Sequence, residues 1–248
     1  PRIEELGQFY DDMAFKQLRA QLGTTNTHEE EVLDYQIVSE VSSNLFKKDQ
    51  FFYFEILGEN YHREEVVGLA WGDKDGIYVG GPELLDSPVL KDFLEHQPIK
   101  TYDFKRGKVL LARKGIDLLP ATFDSRLAKY LLSTVDDNAL TTIAHLYGQT
   151  NLIPDEAIYG KGAKLALPER DVFFPHLARK VQVLLETEAP MLAKLEENQQ
   201  SDLLFEMELP LANVLAKMEI AGIKVKVETL KAMQAENEVL IEQLTKEI

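Results

Sequence analysis

The sequence predicts an α/β protein: a mixed sheet flanked by helices, with a helical C-terminal extension. Three observations carry this. The run Phe51 to Leu57 is aromatic and β-branched with no charge before Glu55, as a central strand buried on both faces should be. Val66 to Trp71 and Ile77 to Val79 flank Gly72-Asp-Lys-Asp-Gly76, a hairpin turn that makes those two strands antiparallel. From Phe123 onward the apolar residues recur at helical spacing to the end of the chain.

Taken in order, Leu6, Phe9, Tyr10, Met13, Leu18 and Leu22 predict an amphipathic helix over 4–22 that ends before Gly23, with a polar linker over 24–31. A short strand over 35–38 and a helix over 40–46 precede the central strand. After the hairpin come a helix over 87–96, a strand over 99–102 and a helix over 104–113 that stops at Gly115. Asp124 is placed to cap a helix over 125–132, and a further helix covers 140–147. Residues 154–167 read as a Gly-containing, Lys-rich connector. A long helix over 171–197 is expected to bend at Pro190, whose nitrogen has no hydrogen to donate. A helix over 203–221 stops at Gly222, and another begins at Glu228. No internal repeat or low-complexity tract is found.

Composition narrows the function classes. With 27 Lys and Arg against 42 Asp and Glu among 248 residues, the formal charge is -15. Such a field repels phosphates, so the chain should not coat DNA or anionic lipid unaided. Its 45% hydrophobic content is ample for a core. The absence of cysteine excludes disulfides, thiolate nucleophiles and Cys-based metal sites, and fits a reducing cytoplasm. No apolar run is long enough to span a bilayer, so no membrane is expected. The opening on Pro1 and the finish inside a helical pattern read as a piece of a longer protein.

Few motifs carry chemistry on their own. Gly80-Gly81-Pro82 and Gly160-Lys-Gly162 match neither phosphate-binding fingerprint, and no nucleophile elbow is present. The histidines at 28, 62, 96, 145 and 176 are dispersed and read as surface or helix-end residues. The basic cluster Lys100, Lys105, Arg106, Lys108, Arg113 and Lys114 reads first as a solvated helix face and second as a nucleic-acid patch.

Several collinear stretches add a resemblance. They are Glu59-Asn-Tyr-His62, Val66-Val-Gly-Leu-Ala70, Lys114-Gly-Ile-Asp-Leu118 with Phe123-Asp124, and Tyr130-Leu-Leu132. Downstream follow Pro154-Asp-Glu-Ala-Ile-Tyr-Gly-Lys-Gly-Ala-Lys164, His176-Leu-Ala-Arg-Lys180, Glu206-Met-Glu-Leu-Pro-Leu211 and Met218-Glu-Ile-Ala-Gly-Ile-Lys-Val225. Together they resemble the large fragment of bacterial DNA polymerase I (family A) of the Bacillus-like kind, over most of the chain from about Tyr35. Lys226 stands where that family usually has Asp. The resemblance implies three parts: 1–31, the end of the 5′ nuclease portion and a linker; 32–200, a ribonuclease H-like 3′→5′ exonuclease-like domain; and 201–248, the opening helices of the polymerase domain.

In proofreading members the central strand bears Asp-x-Glu, a later helix an Asp, and a long helix Tyr-x-x-x-Asp. Here the first motif falls on Tyr53-Phe-Glu55, the second acid on Gly107, and the third motif on His176 and Lys180, so three of four acids are missing. Phosphodiester cleavage by two divalent ions needs several carboxylates converging on ions about 4 Å apart. The resemblance therefore implies no catalytic, cofactor-binding or metal-binding residue in this fragment. Glu55 would be a remnant, either paired with Lys180 or solvated, and Tyr53 a core residue.

The function this implies is a vestigial, inactive exonuclease domain that acts as scaffold for a DNA polymerase in replication and repair. Magnesium would serve the parent polymerase, and primer-template DNA would be met through it. The further partners would be the polymerase and 5′ nuclease domains of the same chain, and the protein would be a cytoplasmic monomer. Two alternatives stand beside it: a residual metal-dependent 3′→5′ exonuclease using Glu55 with the displaced acids Asp103, Glu59 or Asp124, and an acidic module that docks a partner.

Overall fold

The computed structural model describes residues 33–149 and 151–247 together with 6, 7 and 10. The expected helix over 4–22 and the linker after it lie outside the described residues, apart from those three positions, which are helical. By its contacts the chain divides into two units, Pro1–Leu33 and Asp34–Ile248. Everything below concerns the second.

Six strands form one mixed sheet: β1 (Gln36–Ile37), β2 (Phe51–Ile56), β3 (Val66–Asp73), β4 (Gly76–Gly80), β5 (Lys100–Thr101) and β6 (Phe123–Asp124). Their spatial order is β1-β4-β3-β2-β5-β6. The pairs β2/β3 and β3/β4 are antiparallel, while β1/β4, β2/β5 and β5/β6 are parallel. All six residues of β2 are buried, which is why its charge-free run reads as a central strand. The edge strand β6 was not foreseen, because two residues carry no periodicity to read.

The helices are α1 (Pro88–His96), α2 (Phe104–Ala112), α3 (Ser125–Leu132), α4 (Leu140–Leu146), α5 (Asp155–Tyr159), α6 (Arg170–Glu197), α7 (Leu209–Ala221) and α8 (Val227–Glu247). A π-helical turn over Leu203–Glu208 leads into α7. The helix expected over 40–46 is only a single 3-10 turn, Ser43–Leu45. Ser42, Ser43 and Asn44 divert local hydrogen bonding from a helix, and the Ser42 hydroxyl indeed bonds the Asn44 side chain. The expected connector over 154–167 contains a helical turn, α5. Helix α6 runs without interruption through both Pro175 and Pro190.

Side chains of β2 alternate between two packed faces. Phe52, Phe54 and Ile56 join Leu69, Trp71, Leu90, Leu94 and Phe104 in a core between the sheet and the layer of α1 and α2. Phe51, Tyr53 and Glu55 face the other way, and α6 packs against β2, β3 and β4. Close approach of α6 depends on Gly68: a Cβ there would lie 2.7 Å from the Phe173 ring. None of the described helices is long and apolar enough to cross a membrane.

Candidate functional site

The packed interface between β2 and α6, the position of the family's exonuclease cleft by the resemblance, is where the sequence places most of its candidate residues. Alternation on β2 puts Tyr53 and Glu55 on the α6 side. On α6, His176 and Lys180 are one helical turn apart and share a face, so both point toward that cleft. Residues 125 apart in sequence then meet: the Lys180 ammonium bonds Glu55 Oε2, and both side chains are 2% exposed. Glu55 is thus ion-paired, not solvated. Its other oxygen accepts the Ile56 N–H at 3.2 Å, where the register of β2 against β3 shifts.

Two residues that sequence reading did not single out complete the cluster. Helix α5 presents Asp155 and Tyr159, four residues apart and so on one face. Tyr159 donates its hydroxyl to Glu55 Oε2 at 2.9 Å. Asp155 Oδ1 lies 2.7 Å from Lys180 Nζ and 2.7 Å from His176 Nε2. The only local signal for them was the spacing Asp155-x-x-x-Tyr159 after Pro154. His176, expected at the surface, is instead buried, with its ring edge-on to Tyr159 at 5.5 Å. The reason is the helical period that aligns it with Lys180. The Tyr53 ring sits below the ammonium, 4.9 Å from Lys180 Nζ, and stacks on Tyr102 at 6.0 Å.

The electrostatics follow from burial against pairing. Burial is the largest single influence and disfavours the Lys180 ammonium, but Glu55, Tyr53 and Asp155 together outweigh it, and its pKa stands well above the ordinary value. Burial would likewise raise the Asp155 carboxyl. The His176 hydrogen bond and the Lys180 charge overcome that and hold it down at about 2. Burial and the charge of Glu55 push the Tyr53 hydroxyl up. The cleft therefore holds a fixed cation between two carboxylates.

The other candidate acids lie in a different network. Asp124 caps α3 by accepting from the Arg126 and Leu127 backbone, and its two oxygens also accept the N–H groups of Asp103 and Phe104, at 3.1 and 2.7 Å. Burial, then the neighbouring Asp103 charge, raise it to about 6 against the pull of those N–H groups. Asp103, in left-handed backbone, caps α2 through Arg106 N–H and pairs with Arg126. Gly107 lies inside α2, where a Cβ would meet Phe54 at 3.5 Å. Glu59 is exposed on the β2–β3 loop. Among the described residues no three His, Asp or Glu side chains gather as a metal-binding group.

The basic cluster is dispersed by the same pairing logic. Lys100 binds Glu188, Lys105 binds Glu219, Lys108 binds Asp117, and Arg113 and Lys114 share Glu65. Arg106 donates to Phe54 O at 2.8 Å and lies over the Tyr53 ring. Each of the six cations already faces an anion, a carbonyl or a ring.

Comparison with known proteins agrees with this architecture. The family model described as DNA polymerase I, ribonuclease H-like domain, matches residues 52–187. DNA polymerase I of Streptococcus pneumoniae serotype 4 is 55% identical over 249 residues, covering 100% of this chain. The chain spans 28% of the length of that relative. Among solved structures, one titled "apo form of the nuclease" superposes with a TM-score of 0.64 at 14% identity, over 77% of this chain and 94% of the other. The POL domain of Pol1 from M. smegmatis, in complex with DNA primer-template and dNTP, gives 0.60 at 23% identity, over 79% of this chain and 32% of the other.

Proposed function

From the premise that the chain belongs to the DNA polymerase I family, through its ribonuclease H-like domain, we propose that its exonuclease-like cleft is vestigial and serves as a scaffold. The observation that carries this reading is the Lys180 ammonium bonded to Glu55 and Asp155. A two-ion centre needs several carboxylates free to bind divalent cations. Here the acid that remains on β2 is neutralised by a lysine. The residues present do not fit a pair of divalent ions.

The residual-exonuclease reading would need Asp103, Glu59 or Asp124 as replacement ligands, and Glu59 is exposed on the β2–β3 loop. Asp124 is engaged by four backbone N–H groups, and Asp103 by Arg126 and the α2 cap. The structure favours the scaffold. Primer extension on template DNA with magnesium, in replication and repair, would belong to the part of the relatives' length that this chain does not span. DNA and the flanking polymerase and 5′ nuclease portions are then its partners, in a cytoplasmic monomer.

Calorimetry with manganese and a mononucleotide tests the reading, together with digestion of a 3′-labelled single strand. The expected results are no binding heat and an intact strand. Two-ion binding, or nucleotide loss abolished by Glu55→Ala, would overturn it.

A further inference from the structure

Helix α7, which packs on α2, carries apolar residues around most of its circumference, so hydrophobicity by itself selects no single face for burial. Its inward stripe is Leu209, Ala212 and Ala216, all buried, and the same 3–4 spacing continues to Glu219. Its large apolar residues point away: Leu211, Val214, Leu215, Met218 and Ile220 are 40 to 62% exposed. Apolar burial alone would turn the larger Val214 and Met218 side chains inward at least as readily as this stripe, because two alanines remove little surface from water. Something other than apolar burial selects the face.

That selection is polar and converges on Glu219. Lys105, in the first turn of α2, bonds Glu219 Oε1. Tyr61, on the β2–β3 loop, donates to Glu219 Oε2 at 2.8 Å and accepts from Lys105 Nζ at 2.7 Å. His62 Nε2 lies 3.3 Å from Glu219 Oε2, its ring 4.4 Å from that of Tyr61. The loop is itself anchored from α2: Arg113 donates to Glu64 O at 2.6 Å and Arg63 O at 3.2 Å. Three chain elements therefore meet at one carboxylate whose side chain is 26% exposed. A charged residue at a packed helical position, matched by one cation, specifies register where apolar contacts do not.

We propose that the Glu219–Lys105–Tyr61 clasp sets the rotational register of α7 on the ribonuclease H-like body, and with it the direction in which the chain runs on into α8. Glu219 is a positioning residue. The proposal rests on the scaffold reading and deepens it by naming the contact through which the body orients the helices that follow.

Hydrogen exchange and a spin-label distance test it in this chain, whose lack of cysteine makes introduced labels unique. Labels at Val214→Cys on α7 and Asp92→Cys on α1 report register. In Glu219→Ala, amides of α7 should exchange about tenfold faster while those of β2 to β4 keep their protection, and the label distance should shift or broaden. The charge swap Lys105→Glu with Glu219→Lys should restore both readouts. Should Glu219→Ala fail to fold, Glu219→Gln decides. Wild-type exchange and distance in Glu219→Gln, or protection lost equally from α7 and the sheet, would overturn the clasp. Manganese binding would overturn the vestigial cleft while leaving α7 untouched, so the two failures are separable.

Discussion

Lys180→Met probes the central ion pair most directly, because it removes the ammonium while nearly keeping the volume. Both members of the Lys180–Glu55 pair are 2% exposed, so the carboxylate left behind has little access to water. Attraction between the ammonium and Asp155 at 2.7 Å is about 6 kcal/mol at an effective dielectric of 20, and the half-exposure of Asp155 screens part of it. Removing one partner of a buried pair costs about 3 to 5 kcal/mol, a large share of the 5 to 15 kcal/mol typical of a domain. Urea unfolding at pH 7, followed by circular dichroism, reads this loss. In Glu55→Gln with Lys180→Met no buried charge is stranded, and most of the stability should return. The acid limb gives a second readout. Asp155 has a folded pKa lowered to about 2 from 3.8, so the stability it contributes is present above 3.8 and is lost as pH falls toward 2. In Lys180→Met, which removes one of the groups holding that pKa down, the Asp155 contribution and its decline toward pH 2 should both shrink. A single-mutant cost below about 1 kcal/mol, or a double mutant worse than the single, would refute the reasoning.

Gly68→Ala should destabilise the fold by about 1 to 3 kcal/mol by pushing Phe173 and α6 off β3, measurable as a lower urea midpoint at unchanged slope. The Asp124 carboxyl should titrate near 6 by carbon NMR. Because its folded pKa lies above 3.8, the fold gains from its protonation, and that part of the stability falls as pH rises from 3.8 to about 6. Asp124→Asn should flatten the decline in that window, and an unchanged pH profile would count against the buried, Asp103-raised carboxyl.

How much was legible depended on the range of the interaction. The burial of β2, the hairpin between β3 and β4 and the Asp124 cap follow from neighbours within a few residues, and all three are present. The resemblance, carried by collinear motifs, pointed to Glu55, Gly107, His176 and Lys180 as positions to compare. It could not reveal that Asp155 and Tyr159 close over the same cleft, because their segment carries too little periodicity to be read as more than a connector.

Layer architecture and family were readable from the amino-acid order, and the resemblance implies that Tyr53, Gly107 and Lys180 stand where proofreading members carry acids. Those depend on residue identity and order alone. Which charges meet was set by packing in three dimensions. Lys180 finds Glu55 across 125 residues, Lys105 finds Glu219 across 114, and the basic cluster dissolves into separate pairs. A charge in sequence has a sign but no partner. Its partner, and so whether it grips a phosphate, holds a metal or fastens one helix to another, is chosen when distant strands and helices pack and exclude water from between them.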